Sequence, residues 1–134
     1  MSLRILLQPS RSARRAVKLE PPLILEFDFS SSLENNHHSG IVDWSRIWTF
    51  LALVDEDGKM AAHALTGTLA RSAQELRSQD AAQDLMKGYF IFENLSIRKT
   101  GNYRIRATVI QMDESANGAA SLQQLDSEMI IVAN

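Results

Sequence analysis

Residues 88–106 read GYFIFENLSIRKTGNYRIR, the most informative stretch of this 134-residue chain. An aromatic strand leads into a polar turn, a short Leu-x-Ile segment and a second strand that alternates apolar and basic residues. Gly101 supplies the turn, and Tyr103 begins the second strand. A Gly-x-Tyr pair at this place is typical of the E–F corner of immunoglobulin-like sandwiches, where the tyrosine ring packs inward and its hydroxyl bonds to backbone upstream. The stretch therefore predicts an all-β, immunoglobulin-like fold.

Alternating apolar residues extend this interpretation to the rest of the chain. In the stretch PLILEFDF, Leu23, Leu25, Phe27 and Phe29 fall on one face, which is the pattern of a half-buried strand. The pair Asp57-Gly58 predicts a tight hairpin turn. Strands are predicted at 3–7, 23–29, 47–54, 59–66, 89–92, 95–97, 103–112 and 125–132, with a basic loop at 10–20 and polar loops at 30–43 and 113–121.

One stretch differs from the strand pattern. Residues 68–86 are rich in alanine and glutamine with spaced leucines, which predicts a short amphipathic helix with Ser78 as a cap. Together these segments predict a single domain, 1–134, folded as an immunoglobulin-like β-sandwich of about seven strands with one short helical insertion. The chain stops directly after a strand, so we expect the domain to continue beyond residue 134.

Composition limits the classes of function. Apolar residues make up 45% of the chain and charged residues 22%, as in ordinary globular domains. The chain has no cysteine, which excludes disulfides, thiolate metal sites and cysteine nucleophiles. No apolar run is long enough for a signal peptide or a membrane span, so we expect an intracellular protein with no membrane partner.

The charges are segregated although the net charge is only −2. A basic loop carries Arg11, Arg14, Arg15 and Lys18, and a second basic group surrounds the corner, at Arg98, Lys99, Arg104 and Arg106. Arginines on a loop at one end of a sandwich can contact phosphates, which supplies affinity but little sequence information. The alternative is a solvated loop whose charges only aid solubility. The residues alone leave both interpretations open.

Two further groups have competing interpretations. Arg104 and Arg106 alternate with apolar residues and should point outward. There they extend a positive surface or, as we favour, pair with carboxylates such as Glu26 or Asp28 across a sheet. The aromatic residues Trp44, Trp48 and Phe50 belong to a segment that is apolar on both faces. One face enters the core, and the other is covered by the helical insertion or by a partner subunit.

No constellation in the sequence indicates catalysis or metal binding. His37 and His38 are adjacent and so point apart in an extended loop, and His63 is the third and last histidine. The acids at 55–57 are explained by the hairpin turn. Nucleophile triads, phosphate-cradling glycine loops and dinucleotide fingerprints are missing. We expect no enzyme activity, no cofactor, no metal and no small-molecule substrate.

Four stretches resemble the velvet domain of fungal developmental regulators: ILLQPSRSAR at 5–14, EPPLILEF at 20–27, LTGTLARSAQEL at 65–76 and YFIFENLSIRKTGNYRIR at 89–106. The resemblance covers nearly the whole chain, and the last stretch is the most specific. It implies a Rel-like immunoglobulin-type fold and a nuclear transcriptional regulator, shuttling with the cytoplasm, that controls development, sporulation and secondary metabolism. It also implies dimers with velvet proteins and DNA contact through Arg11, Arg14, Arg15 and Lys18.

The sequence departs from the velvet pattern at the basic loop. The family has a longer loop rich in glycine and basic residues, whereas here only 15–20 separate the Ala-Arg pair from the prolines. This favours an alternative function, a velvet-like interaction module that binds a partner regulator with weak or no DNA contact. An extracellular adhesion domain would share the corner motif, but the absence of cysteine and of a secretion signal counts against it.

Overall fold

The computed structural model describes residues 2–28, 43–74, 87–112 and 119–134. Within them the chain forms a 3₁₀ turn (Trp44–Arg46) and eleven strands: β1 (Ser2–Leu7), β2 (Ser12–Arg14), β3 (Leu23–Asp28), β4 (Ile47–Asp55), β5 (Leu65–Thr66), β6 (Ala70–Ser72), β7 (Lys87–Phe92), β8 (Ser96–Ile97), β9 (Gly101–Met112), β10 (Ala119–Asp126) and β11 (Ile130–Ala133).

The strands form two main sheets. The smaller sheet has the order β1-β3-β7, and the larger has the order β2-β11-β9-β4-β6 with β10 also paired to β9. A separate two-stranded ladder joins β5 to β8. This division matches immunoglobulin-type sandwiches. There, strands A, B and E share one sheet, as β1, β3 and β7 do here, and strands C, F and G share the other, as β4, β9 and β11 do. The predicted all-β sandwich is therefore confirmed.

Side chains from both sheets form one hydrophobic core. The predicted alternation in β3 is confirmed for Leu23, Leu25 and Phe27, which are buried, whereas Phe29 lies outside the described residues. Phe90 and Phe92 of β7 join them from the smaller sheet, β4, β9 and β11 contribute from the larger sheet, and Leu65 and Ile97 contribute from the β5–β8 ladder. Burial of this apolar surface is the main force that holds the two sheets together.

The predicted corner at Tyr103 is confirmed. The side chain is 5% exposed, and its hydroxyl donates to the carbonyl oxygen of Thr100 at 3.0 Å. Burial, and to a lesser degree the Asp55 carboxylate, raise the pKa of Tyr103, so the phenol stays protonated and remains a donor at neutral pH. Gly101 has a φ of +146°, and a β-carbon there would lie 2.9 Å from the Tyr103 hydroxyl. The corner therefore requires glycine at position 101.

The helix predicted over 68–86 is wrong at its start. Ala70–Ser72 form β6, which pairs antiparallel with Trp48–Phe50 at the edge of the larger sheet. The remainder of the predicted helix, with Ser78, lies outside the described residues. Helix propensity is a weak preference, and pairing with an exposed strand edge overrides it here.

Other predicted boundaries need correction. The hairpin at Asp57-Gly58 is confirmed, with the Gly58 N–H donating to the carbonyl of Asp55 at 3.0 Å. Its predicted return strand over 59–66 is wrong, because Met60 forms only an isolated bridge with Val54, and Leu65 and Thr66 pair with β8 instead. The predicted loop over 113–121 gives way to β10 from residue 119, and the predicted strand over 125–132 is interrupted at 127–129. The described residues thus contain eleven strands, more than the roughly seven predicted.

Candidate nucleic-acid interface

The basic segment, residues 10–20, is held on both sides by backbone hydrogen bonds. Its strand β2 runs parallel to β11, and the Arg15 N–H donates to the carbonyl of Ala133 at 2.7 Å. The chain then crosses to the β5–β8 ladder, where Ala16 and Leu19 donate to the carbonyls of Ile97 and Leu95 at 2.8 and 2.7 Å. The prediction of a basic loop over 10–20 is therefore wrong at 12–14, which form β2, and the basic segment bridges the larger sheet and the β5–β8 ladder.

Strand register places Arg14 on the outer face of the larger sheet. Ala13 packs against the core and Val132 beside it is buried, so their neighbour Arg14 points away from the core. In β9, Tyr103 and Ile105 are buried, which turns Arg104 outward on the same face. The fold thus brings together on one face of one sheet cations that are ninety residues apart in the sequence.

Three of the predicted cations already have partners within the chain. Arg106 makes a two-point contact with Asp126, at 2.8 and 3.0 Å, and this pair raises the pKa of the arginine. Arg11 Nε lies 2.7 Å from a carboxylate oxygen of Glu128. Arg104 donates to the carbonyl oxygen of Ser127 at 2.9 Å. These contacts use donors that could otherwise face an external anion.

The carboxylate partners predicted for Arg104 and Arg106 are wrong. Glu26 lies in the smaller sheet and pairs with Arg4 at 2.9 Å. Asp28 also lies in the smaller sheet, at the end of β3, whereas Arg104 and Arg106 lie in the larger sheet. The expectation that an outward arginine pairs with a carboxylate across a sheet holds for Arg106, but its partner comes from β10.

Five predicted cations are exposed and make no ion pair with any other described residue: Arg14, Arg15, Lys18, Arg98 and Lys99. The backbone bond between Ala16 and Ile97 sets the two groups of cations next to each other at one end of the sandwich. Two of them, Arg14 and Lys18, line an open cleft of about 490 Å³ together with Ser10, Ser12 and Glu20, among others. The arrangement offers unpaired positive charge and hydroxyl groups to an anion.

The predicted aromatic cluster divides between the core and the surface. Trp44 is 5% exposed, and its ring packs so closely on Gly88 that a β-carbon there would lie 2.6 Å from it. Trp44 is therefore a core residue. Trp48 and Phe50 point to the outer face of the larger sheet, where Phe50 is 42% exposed and lies beside Thr108, while Ile110 lies beside Trp48.

Metal-ligating side chains do not cluster among the described residues. No three histidine or acidic side chains there converge on a point that could hold a metal ion. His37 and His38 lie outside the described part of the chain. In that part, no helix is long and apolar enough to cross a bilayer.

The family follows from comparison with known proteins. The velvet factor family model matches residues 48–134, about two thirds of the chain. The chain belongs to the velvet factor family. Velvet factors are fungal regulators, so the function of this chain is regulatory at the coarse level. No curated protein matches the sequence.

The velvet match contains the corner, the cations at 98–106 and the outer-face aromatics Trp48 and Phe50. The basic segment precedes the matched range. Sequence reasoning missed two residues of the site, Asp126 and Glu128, which hold Arg106 and Arg11. No local pattern identifies them, because Asp126 meets Arg106 only through the register of β10 with β9, and Glu128 lies in the turn between β10 and β11.

Proposed function

We propose that this velvet factor is a nuclear transcriptional regulator that dimerises and binds DNA through its basic segment. The observation that carries the DNA-binding part is the group formed by Arg14, Arg15 and Lys18, three exposed cations on a backbone fixed from both sides. Cations on a fixed backbone lose less conformational entropy on binding a phosphate than cations on a flexible loop. Such contacts supply affinity and register on the duplex.

The salt dependence of DNA binding tests this proposal. Three phosphate contacts give a slope of log K against log salt of about −2.7, since each contributes about −0.9. Arg14→Ala combined with Arg15→Ala should reduce the slope to about −0.9 and weaken binding roughly tenfold or more. Gel shifts or fluorescence anisotropy over a salt series measure both quantities.

A matched control uses Lys59→Ala, which removes an exposed cation at the hairpin turn rather than in the basic segment. Its slope should equal that of the unmodified protein. If the double arginine variant binds DNA with unchanged affinity and slope, the basic segment is not the contact surface.

The second part of the proposal is that the outer-face aromatics form the dimer interface. Trp48 and Phe50 present an apolar surface beside Ile110 and the exposed Met112, and large apolar side chains are enriched at such interfaces. Phe50→Asp places a charge in that surface and should weaken dimerisation at least about tenfold. Light scattering and sedimentation over a concentration series measure it, and an unchanged dimer would show that another surface is used.

The interaction module remains the second candidate function. It is favoured by the internal pairing of Arg11, Arg104 and Arg106, which lowers the number of cations available to DNA. Under this alternative, partner binding depends on Phe50 while DNA affinity stays weak and insensitive to Arg14 and Arg15.

A further inference from the structure

The turn between β10 and β11, residues 127–129, is held from several sides. Ser127 is 2% exposed, and its hydroxyl accepts from the Ile105 N–H and donates to the Glu128 carbonyl, both at 2.9 Å. The Ser127 N–H donates to the Ile105 carbonyl at 2.8 Å. The Glu128 N–H donates to the side-chain oxygen of Gln8 at 3.1 Å. These bonds fix the backbone that presents the Glu128 side chain.

The Glu128 carboxylate faces two arginines. Arg11 Nε lies 2.7 Å from it, and Arg104 lines the same open cleft of about 360 Å³. The hydrogen bond from Arg11 lowers the pKa of Glu128, and the charges of Arg11 and Arg104 add to the effect. The carboxylate is therefore ionised at neutral pH and neutralises part of the positive charge at this place.

An arginine that holds a carboxylate can also hold a phosphate, because both anions offer neighbouring oxygen acceptors to the guanidinium donors. Arg11 is also part of the basic segment, where it directly precedes β2 and its carbonyl accepts from the Ile131 N–H at 2.7 Å. The pair is open to solvent, with Arg11 74% and Glu128 50% exposed, so it can exchange for an external anion at little cost.

We infer that Glu128 occupies a phosphate site on the DNA-binding surface and acts as an internal competitor for the DNA backbone at Arg11. This inference rests on the proposed DNA binding of the basic segment. It assigns to Glu128 a regulatory role: the carboxylate lowers DNA affinity and removes one phosphate contact, which makes the slope of log K against log salt shallower.

Glu128→Gln tests the inference, because it removes the charge while keeping the shape of the side chain and the backbone bonds of the turn. DNA affinity should rise about threefold to tenfold, and the slope of log K against log salt should become steeper by about 0.9, the value of one phosphate. Asp57→Asn is the matched control, since it removes one negative charge at the hairpin turn and should leave the slope unchanged.

A double-mutant cycle separates competition from a general change in charge. Arg11→Ala should cancel the gain in the Glu128→Gln background and should change affinity less in the unmodified background. A gain that persists without Arg11, or no gain at all in a variant whose circular dichroism and melting temperature match the parent, overturns the inference. Glu128→Ala provides a second variant if the glutamine form does not fold.

The outcomes distinguish the two proposals. If the unmodified protein binds DNA and responds to Arg14→Ala with Arg15→Ala but not to Glu128→Gln, the proposed function stands and the competitor role is wrong. If the unmodified protein shows no salt-dependent DNA binding and Glu128→Gln creates none, both are wrong.

Discussion

Gly67→Ala is expected to lower the free energy of unfolding by about 3 kcal/mol, because it combines an unfavourable backbone conformation with a steric clash. Gly67 has a φ of +118°, a region that residues with a β-carbon rarely adopt. An added β-carbon would overlap the carbonyl oxygen of Asn94 and lie 2.9 Å from its carbonyl carbon. These are backbone atoms of a neighbouring turn, so relief requires moving the chain rather than a side chain.

Gly58→Ala is the matched control for this prediction. Gly58 also has a positive φ, +80°, but a β-carbon there would meet nothing within 4 Å. The Gly58 substitution should cost about 1 kcal/mol, the cost of a left-handed backbone for a residue with a β-carbon. Urea denaturation of both variants, followed by tryptophan fluorescence, measures the difference. Equal losses at the two positions would show that the contact with Asn94 does not constrain the fold.

The position of Gly67 connects this stability effect to the proposed interface. Gly67 directly follows β5, and Asn94 accepts from the Thr68 N–H at 3.0 Å through its side chain. These contacts set the β5–β8 ladder, to which the basic segment is hydrogen-bonded through Ala16. A displaced ladder should therefore also reduce DNA affinity, although no cation has been removed.

The parts of the fold that were predictable from sequence are those with a local cause. The corner depends on Gly101 and Tyr103, two residues apart, and on a hydroxyl that reaches the carbonyl of Thr100. The core face of β3 follows from apolar residues at every second position, Leu23, Leu25 and Phe27. The hairpin at Asp57-Gly58 likewise depends on a dipeptide.

The parts that were not predictable depend on pairing between distant segments. Ser12–Arg14 have little strand preference of their own, and β2 exists because β11, more than a hundred residues later, offers an edge. Ala70–Ser72 form a strand against β4 although their composition favours helix. Such pairings depend on tertiary context rather than on local pattern.

The candidate site shows the same division. The sequence alone shows which residues are the cations of the candidate site. It could not identify which of them are neutralised, because Asp126 reaches Arg106 only through the register of β10 with β9. Arg14 and Arg15 are therefore free to contact DNA while Arg11 is paired, and this difference is a result of the fold.

Phe90→Ala should lower the free energy of unfolding by about 4 kcal/mol, because it removes a large side chain from a closed core and leaves a cavity. Phe90 is fully buried in β7, between Leu25 on the neighbouring strand and the side chains of the larger sheet. Thermal and urea denaturation at low protein concentration measure the loss. The near-ultraviolet circular dichroism of the folded fraction shows whether the remaining core keeps its packing.

Phe50→Ala, the same substitution on the outer face, distinguishes a core side chain from an interface side chain. Phe50 is exposed on the outer face of the larger sheet, so Phe50→Ala should change the stability of the monomer by less than about 0.5 kcal/mol. Its effect should appear instead in the concentration dependence of stability, because a dimer interface stabilises the folded state by mass action. A large loss at Phe50 that is independent of protein concentration would place this ring in the monomer's own core and would remove the basis for the dimer surface. Comparable losses at both phenylalanines would contradict the assignment of the inner and outer faces of β4.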